Sequence, residues 1–175
     1  MTQSTLAGEW IARLSLIPHP EGGYYREMYR SPGTIAEQAL PSGYGGHRSY
    51  VTSIYFLLTS QSPSRFHRLR SDELWYFHAG SPLTVFAISP SALMTKHRLG
   101  SDCASGEALQ CAIPAESWFA AAVDVPDAFS LISCVVAPGF DFADFELGNR
   151  DELIHQFPGH AACIEQLTPD PHAAS

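Results

Sequence analysis

The residues best suited to chemistry lie in one stretch, Ser64 to Gly80, SRFHRLRSDELWYFHAG, which Gly80 closes as a tight turn. Residues of equal parity on a strand share a face, so His67, Leu69, Glu73, Trp75 and Phe77 project to one side wherever no bulge intervenes. A histidine, a carboxylate and two large rings on one face read as a pocket wall, because bare core rarely needs ionisable groups. A histidine with a carboxylate in reach can serve as general base, the carboxylate holding the tautomer and favouring the imidazolium that forms. Inverting a carbon next to a carbonyl demands more: a proton leaves one face and another returns to the opposite face, so an acid must stand across from the base. The plain structural reading of the same pair is a hydrogen bond kept inside a barrel that performs no chemistry.

Around this pair stand candidate ligand contacts. Arg26, Arg48, Arg65, Arg68 and Arg70 are close to it in sequence, and arginine forks bind phosphate or carboxylate. Arg68 and Arg70 have the parity opposite to His67 and read as facing water, which leaves Arg26 and Arg65 as ligand-binding candidates. Trp75, Phe77, Trp118 and Phe119 would line an aromatic cavity fit for a planar ring, or else form plain core. Phe140, in the run PGFDFADFE from Pro138 to Glu146, would cover the mouth or staple the last helix to the sheet.

The elements that position these residues are set by the pattern of the chain. With 175 residues, 45% hydrophobic and 16% charged, it has room for one compact domain. A net charge of −8, with no basic run and a single lysine, argues against a nucleic-acid polymer or a polybasic membrane anchor as partner. Leu6, Trp10, Ile11 and Leu14 repeat at helical spacing, predicting an amphipathic helix over about 5–14 that Pro18 must follow. Pro18, Pro20 and Gly22-Gly23 then turn the chain into a strand from Tyr24 to Tyr29. Ser31 to His47, rich in glycine, proline and small polar residues, reads as a long mobile loop with the makings of a lid. Short strands separated by turn signals continue through FSLISCVVA, the most apolar of them, and predict an antiparallel sandwich or barrel over about 22–147. A last helix over about 149–157 opens on Asn149 as cap, with Glu152 three residues on, and stops at Pro158. Cys103, Cys111, Cys134 and Cys163 form no C-x-x-C pair, and no leader or bilayer-length apolar run precedes them; free thiols and a cytoplasmic setting are expected.

The spacing H-x5-E-x6-G over His67, Glu73 and Gly80 resembles the first motif of the cupin superfamily, G-x5-H-x-H-x3,4-E-x6-G, with Leu69 in place of its second histidine and Gln61 or Ser62 in place of its first glycine. The stretch from Pro114, PAESWFAAA, is similar to the second motif, with Glu116 where that motif has glycine and Phe119 where it has histidine. LIPHPEGGYYRE, SDELWYFHAG and VAPGFDFADFELG look like a small single-domain cupin branch often labelled predicted sugar epimerases, over about Leu6 to Phe157. The resemblance implies a mainly β fold, a double-stranded β-helix or jelly roll with short helices at both ends, that forms a homodimer through its sheets. Metal-bearing cupins hold their ion with three histidines and a glutamate; two of those positions survive here, so His67 and Glu73 are weak metal candidates and no cofactor is assigned. Sugar-nucleotide epimerases of cupin-like fold use a histidine base and a tyrosine acid, which marks His67 as base, Glu73 as its partner and Tyr24 as the acid to test first. The function implied is a metal-independent isomerase or epimerase of a carbonyl-containing or nucleotide-linked sugar. The alternatives are a cupin that binds a small ligand without turnover and, behind it, a metal-dependent enzyme.

Overall fold

The computed structural model describes residues 3–169. Its first element is the amphipathic helix α1, Gln3–Leu14, whose Leu6, Trp10, Ile11 and Leu14 pack on the outer face of a sheet. After it come the strands β1 (Ile17–Pro18), β2 (Tyr24–Arg30), β3 (Thr34–Ile35), β4 (Arg48–Ser49), β5 (Thr52–Thr59) and β6 (Ser64–Leu69). The rest are β7 (Asp72–Gly80), β8 (Leu83–Ile88), β9 (Met94–Leu99), β10 (Gln110–Ile113), β11 (Trp118–Val123), β12 (Phe129–Ala137) and β13 (Phe145–Leu147). They form a six-stranded sheet in the order β1-β2-β5-β12-β7-β10 and a five-stranded sheet in the order β13-β6-β11-β8-β9, with β3 and β4 as a separate pair. All pairings within these sheets are antiparallel. This is the antiparallel architecture expected from the strand pattern, and the jelly roll that the cupin resemblance implies.

The two sheets close on a shared core. Phe56, Trp75, Ile132 and Cys134 from the first meet Leu69, Val85, Leu99 and Phe119 from the second, each nearly removed from water. Alternation decides what lies on the outer faces. On β6 and β11, the intervening Phe66, Trp118 and Ala120 point away from the core and are covered by α2 (Arg150–Gln156) and α3 (Ala161–Gln166). Asn149 caps α2 as the sequence predicts, its Oδ1 accepting from the backbone N–H of Asp151 and Glu152. Pro158 does not end the helical region: it sits in the first turn of a 3-10 segment that leads into α3, where Ile164 and Leu167 complete the cover.

The loop from Ser31 to His47 is pinned to the body and does not take the form of a lid. Thr34–Ile35 pairs with Arg48–Ser49. Tyr44 Oη donates to the carbonyl of Arg70, and the buried Arg48 guanidinium holds the Asp144 carboxylate through two bonds of 2.6 and 2.7 Å. Gly80 ends β7 at φ +96° beside a bulge, where a Cβ would stand 2.2 Å from the backbone oxygen of Phe129; it serves close backbone approach rather than a hairpin tip.

Candidate functional site

The parity argument places His67 and Glu73 on the interior, yet they belong to different sheets. β6 lies in the five-stranded sheet and β7 in the six-stranded one, so the chain crosses between sheets at Arg70 and Ser71, and the two side chains approach one cavity from opposite walls. That cavity has a volume of about 270 Å³. Its depth holds Phe56, Leu69 and Cys134 with the ionisable groups, and its mouth is formed by Glu27, Arg30, Asp141 and Phe142.

The partner of His67 is Glu21, not Glu73. His67 Nε2 lies 3.3 Å from Glu21 Oε2, and His19 Nδ1 lies 3.4 Å from the same oxygen. A turn puts them there. His19 N–H donates to the carbonyl of Gly23 and Gly22 N–H to the carbonyl of His19, which folds His-Pro-Glu-Gly-Gly back on itself. Three bonds then fasten the turn to the start of β6: Arg65 N–H to the Glu21 carbonyl (2.9 Å), Ser64 Oγ to Glu21 Oε1 (2.8 Å), and Gly23 N–H to Ser62 Oγ (2.9 Å). The glycines permit this closeness. At Gly22, φ +115°, a Cβ would fall 2.0 Å from the Pro63 backbone oxygen.

Hydrogen bonding settles where the protons are. His67 Nδ1 lies 2.7 Å from the Arg65 carbonyl, which can only accept, so Nδ1 carries the hydrogen and Nε2 keeps its lone pair. His19 Nδ1 accepts from the Glu21 backbone N–H at 3.4 Å, so its lone pair also faces Glu21. The Glu21 backbone N–H already serves His19 Nδ1, so His67 Nε2 is the acceptor left facing Glu21 Oε2, and a carboxylate there would not satisfy it. A protonated Glu21 does: Oε1 accepts from Ser64 and Oε2 donates to His67 Nε2.

The electrostatics agree with that assignment. Burial pushes Glu21 well above the ordinary 4.5, the nearby Glu73 charge raises it further, and the Ser64 bond opposes. Burial lowers His67 to about 3 and His19 to about 4, so both imidazoles are neutral at physiological pH and the contacts with Glu21 are not ion pairs. Burial also raises Glu73 to about 7, against a smaller lowering by the Trp75 indole and the Cys134 thiol. Neither of these reaches Glu73 Oε2 with hydrogen-bond geometry, and Oε2, although buried, has no hydrogen-bond partner among the described residues. The site thus holds one acid that keeps its proton and one that exchanges it near neutrality.

The remaining sequence candidates divide. Phe140 lines the cavity, in edge contact with Phe142 at 5.0 Å. Phe119 lies against the His67 ring at 4.0 Å and holds it from behind, and Phe145 stacks on it at 5.5 Å. Trp75 is interior but packs below the cavity against Phe56 and Phe119, and Phe77 packs at the edge of the same core. Four placements are corrections. Tyr24 points to the outer face under α1, and its neighbour Tyr25, of the other parity, lines the cavity and meets the His19 ring edge-on at 4.5 Å. Arg26 shares the outward parity of Tyr24 and donates to the carbonyl of Leu14. Arg65 takes part through its backbone and does not line the cavity. Trp118 lies on the outer face of the second sheet, beneath Arg68 and beside α2 and α3. His19 and Glu21 escaped the sequence argument, although the signal was present: two ionisable residues flanking a proline, with paired glycines directly after them.

The donor set does not fit the four-ligand centre of metal-bearing cupins. Leu69 and Phe119 offer no donor atom, both ring nitrogens of His67 already have partners, and among the described residues no group of three or more His, Cys, Asp or Glu is placed to hold a metal ion.

A family model described as Cupin superfamily (DUF985) matches residues 8–148. Uncharacterized protein YML079W of Saccharomyces cerevisiae is 34% identical over 160 residues, covering 86% of this chain and 77% of the yeast protein. Among solved structures, protein SO0799 from Shewanella oneidensis superposes with a TM-score of 0.84 at 42% identity, covering 93% of this chain and 97% of that one. A cupin 2 domain-containing protein from Halorhodospira halophila gives a TM-score of 0.55 at 11% identity over 88% of each chain, a likeness of fold alone.

Proposed function

The chain belongs to the Cupin_5 family of the cupin superfamily, and on that scaffold we propose a metal-independent isomerase or epimerase of a small carbonyl compound. The observation that carries this reading is the pair of buried carboxyl groups, Glu21 and Glu73, that reach one cavity from different walls with opposite proton duties. Glu73, titrating near 7, takes the proton from the carbon beside the carbonyl; the C–H bond breaks and the electron pair passes to the carbonyl oxygen as an enolate. Glu21 returns a proton to the opposite face of that carbon, and the electron pair moves back from oxygen. His67 and His19 are positioning residues in this scheme. His67 Nε2 holds the Glu21 proton, His19 fixes the Glu21 backbone through its N–H, and Ser64 donates to the carboxyl before and after the proton has left. The role of base expected for His67 thus passes to Glu73, since Nε2 is turned toward Glu21.

The cavity volume lies just below the usual ~300–1,000 Å³ for ligand sites, which suits a ring-sized molecule better than a nucleotide-linked one. Binding without turnover is the second reading, favoured by the way Phe119 and Phe145 clamp the His67 ring. The deciding experiment incubates the protein in deuterium oxide with a panel of aldoses and ketoses and tracks deuterium entering the carbon next to the carbonyl. Incorporation is expected for wild type and absent from Glu21→Gln and Glu73→Gln variants that still melt cooperatively. Binding with no incorporation by wild type, or equal incorporation by both variants, overturns the proton-transfer reading.

A further inference from the structure

The charge lining the cavity says something about its ligand beyond the reaction. Glu21, Glu27, Glu73 and Asp141 supply four carboxyl groups against a single guanidinium, Arg30. Arg30 is already engaged: it donates to Glu27 at 3.1 and 2.7 Å and to the Phe140 carbonyl at 3.0 Å. Among the described residues no other lysine or arginine lines the cavity. A phosphate or carboxylate entering would therefore face carboxyl groups with no free cation to receive it.

Independently of that charge balance, the depth of the cavity holds an acceptor in want of a donor. Glu73 is 7% exposed, its Oε2 has no hydrogen-bond partner among the described residues, and the oxygen belongs to a side chain that lines the cavity. The walls between Glu73 and the mouth are aromatic, Tyr25, Phe56 and Phe140, and Phe142 stands at the mouth itself. Aromatic faces attract organic cations, and a carboxylate in a partly desolvated site pairs with an ammonium more strongly than it would in water. The whole molecule, at −8, draws cations toward that mouth.

We propose that the ligand of this pocket is a small organic amine, its ammonium paired with Glu73 and its body lying among Tyr25, Phe56 and Phe140. This rests on the cavity being the ligand site and names the class of molecule it takes; an ammonium on Glu73 occupies the carboxylate that serves as base in the reaction scheme above, so the two roles of Glu73 exclude each other and the tests below separate them. Anionic sugars and nucleotide-linked sugars are excluded by the same charge balance.

Three probes of one size separate the cases: benzylamine, benzyl alcohol and benzoate, titrated into the full chain at pH 8 and monitored by calorimetry and ligand-observed NMR. Benzylamine is expected to bind about tenfold or more tightly than benzyl alcohol, the advantage of one charge-assisted hydrogen bond, and benzoate is expected not to bind. In Glu73→Gln that advantage falls to about twofold or less by the same principle. Asp141→Asn keeps the cap to the Ala143 N–H and removes only the charge at the mouth, so it weakens benzylamine alone by a few-fold without risk to the core. Benzoate binding as well as benzylamine, benzylamine no better than the alcohol, or no benzylamine binding would each overturn the proposal. Amine binding without deuterium exchange defeats the proton-transfer reading and leaves this one standing. Exchange confined to uncharged or acidic sugars does the reverse.

Discussion

Glu21 is the residue on which the site's hydrogen bonding closes, and its replacement separates structure from chemistry. Glutamine keeps an oxygen to accept from Ser64 and an amide N–H to offer His67 Nε2. Glu21→Gln is therefore expected to lie within about 1 kcal/mol of wild type by urea denaturation, while deuterium incorporation is lost. Glu21→Ala strands the Ser64 hydroxyl and His67 Nε2 in the interior and should cost about 2–4 kcal/mol, so similar losses for both variants would mean that the carboxyl is not acting as a neutral donor. His67 and Glu73 are legible in the sequence because strand parity survives even where the chain changes sheets. Their true partners are not legible. Parity says which face a side chain takes, but not that β6 and β7 lie on opposite walls, nor that a turn far earlier in the chain brings Glu21 between His67 and His19. The choice of Tyr24 over Tyr25 fails for a similar reason: both faces of β2 are rich in aromatic and charged residues, so alternation alone does not tell which one α1 covers.

At the level of elements, the His19–Gly23 turn is fastened to the start of β6 and the Arg48–Asp144 link fastens the separate β3–β4 pair to the body, both by bonds outside the strand ladders. Gly22→Ala brings a methyl group into the Pro63 backbone oxygen at a φ that alanine resists, and neither backbone can yield without breaking the bonds from Arg65 and Gly23. A loss of about 3 kcal/mol or more is expected in urea denaturation, together with loss of benzylamine binding, since His19 and Glu21 move with the turn. Arg48 and Asp144 are each nearly buried, so Asp144→Asn leaves a buried guanidinium uncompensated and should cost about 3–5 kcal/mol. The half-exposed pair of Arg68 with Glu146 is the control, with Glu146→Gln costing about 1 kcal/mol or less. Equal costs at the two sites would refute the anchoring role assigned to Arg48. The same link explains why Ser31 to His47 reads as mobile from composition. Gly, Pro and small polar residues announce irregular backbone, and the side chains that tie it down, Tyr44 and Arg48, find their partners in Arg70 and Asp144, far along the chain. The third helix was hidden in another way, because Pro158 is a stop signal for α2 and also a favourable first residue for the 3-10 turn that leads into α3.

For the molecule as a whole, the buried groups set how stability depends on pH, and the two kinds oppose each other. A carboxyl whose folded pKa is raised stays protonated while the unfolded chain ionises, so Glu73 makes stability fall as pH rises from about 4.5 to about 7, and Glu21 continues that fall beyond. A histidine whose folded pKa is lowered stays neutral while the unfolded chain takes up a proton, so His67 and His19 make stability fall as pH drops below about 6.5 toward 4 and 3. Between about 4.5 and 6.5 two groups of each kind pull in opposite directions and nearly cancel, leaving a plateau. Above it only the carboxyl groups act until the thiols join them: Cys111, raised to about 12, and Cys134 facing Glu73 add the same sign above about pH 9. Denaturation midpoints from pH 4 to 8 should therefore show wild type level across the plateau and declining on both sides. Glu73→Gln, which removes one ionisation from the alkaline limb and relieves Glu21 of its charge, should gain on wild type by about 2–3 kcal/mol between pH 4.5 and 7.5. Parallel curves for the two proteins would mean that Glu73 ionises as an ordinary surface carboxylate, and the proton exchange near neutrality on which the site's chemistry depends would go with it.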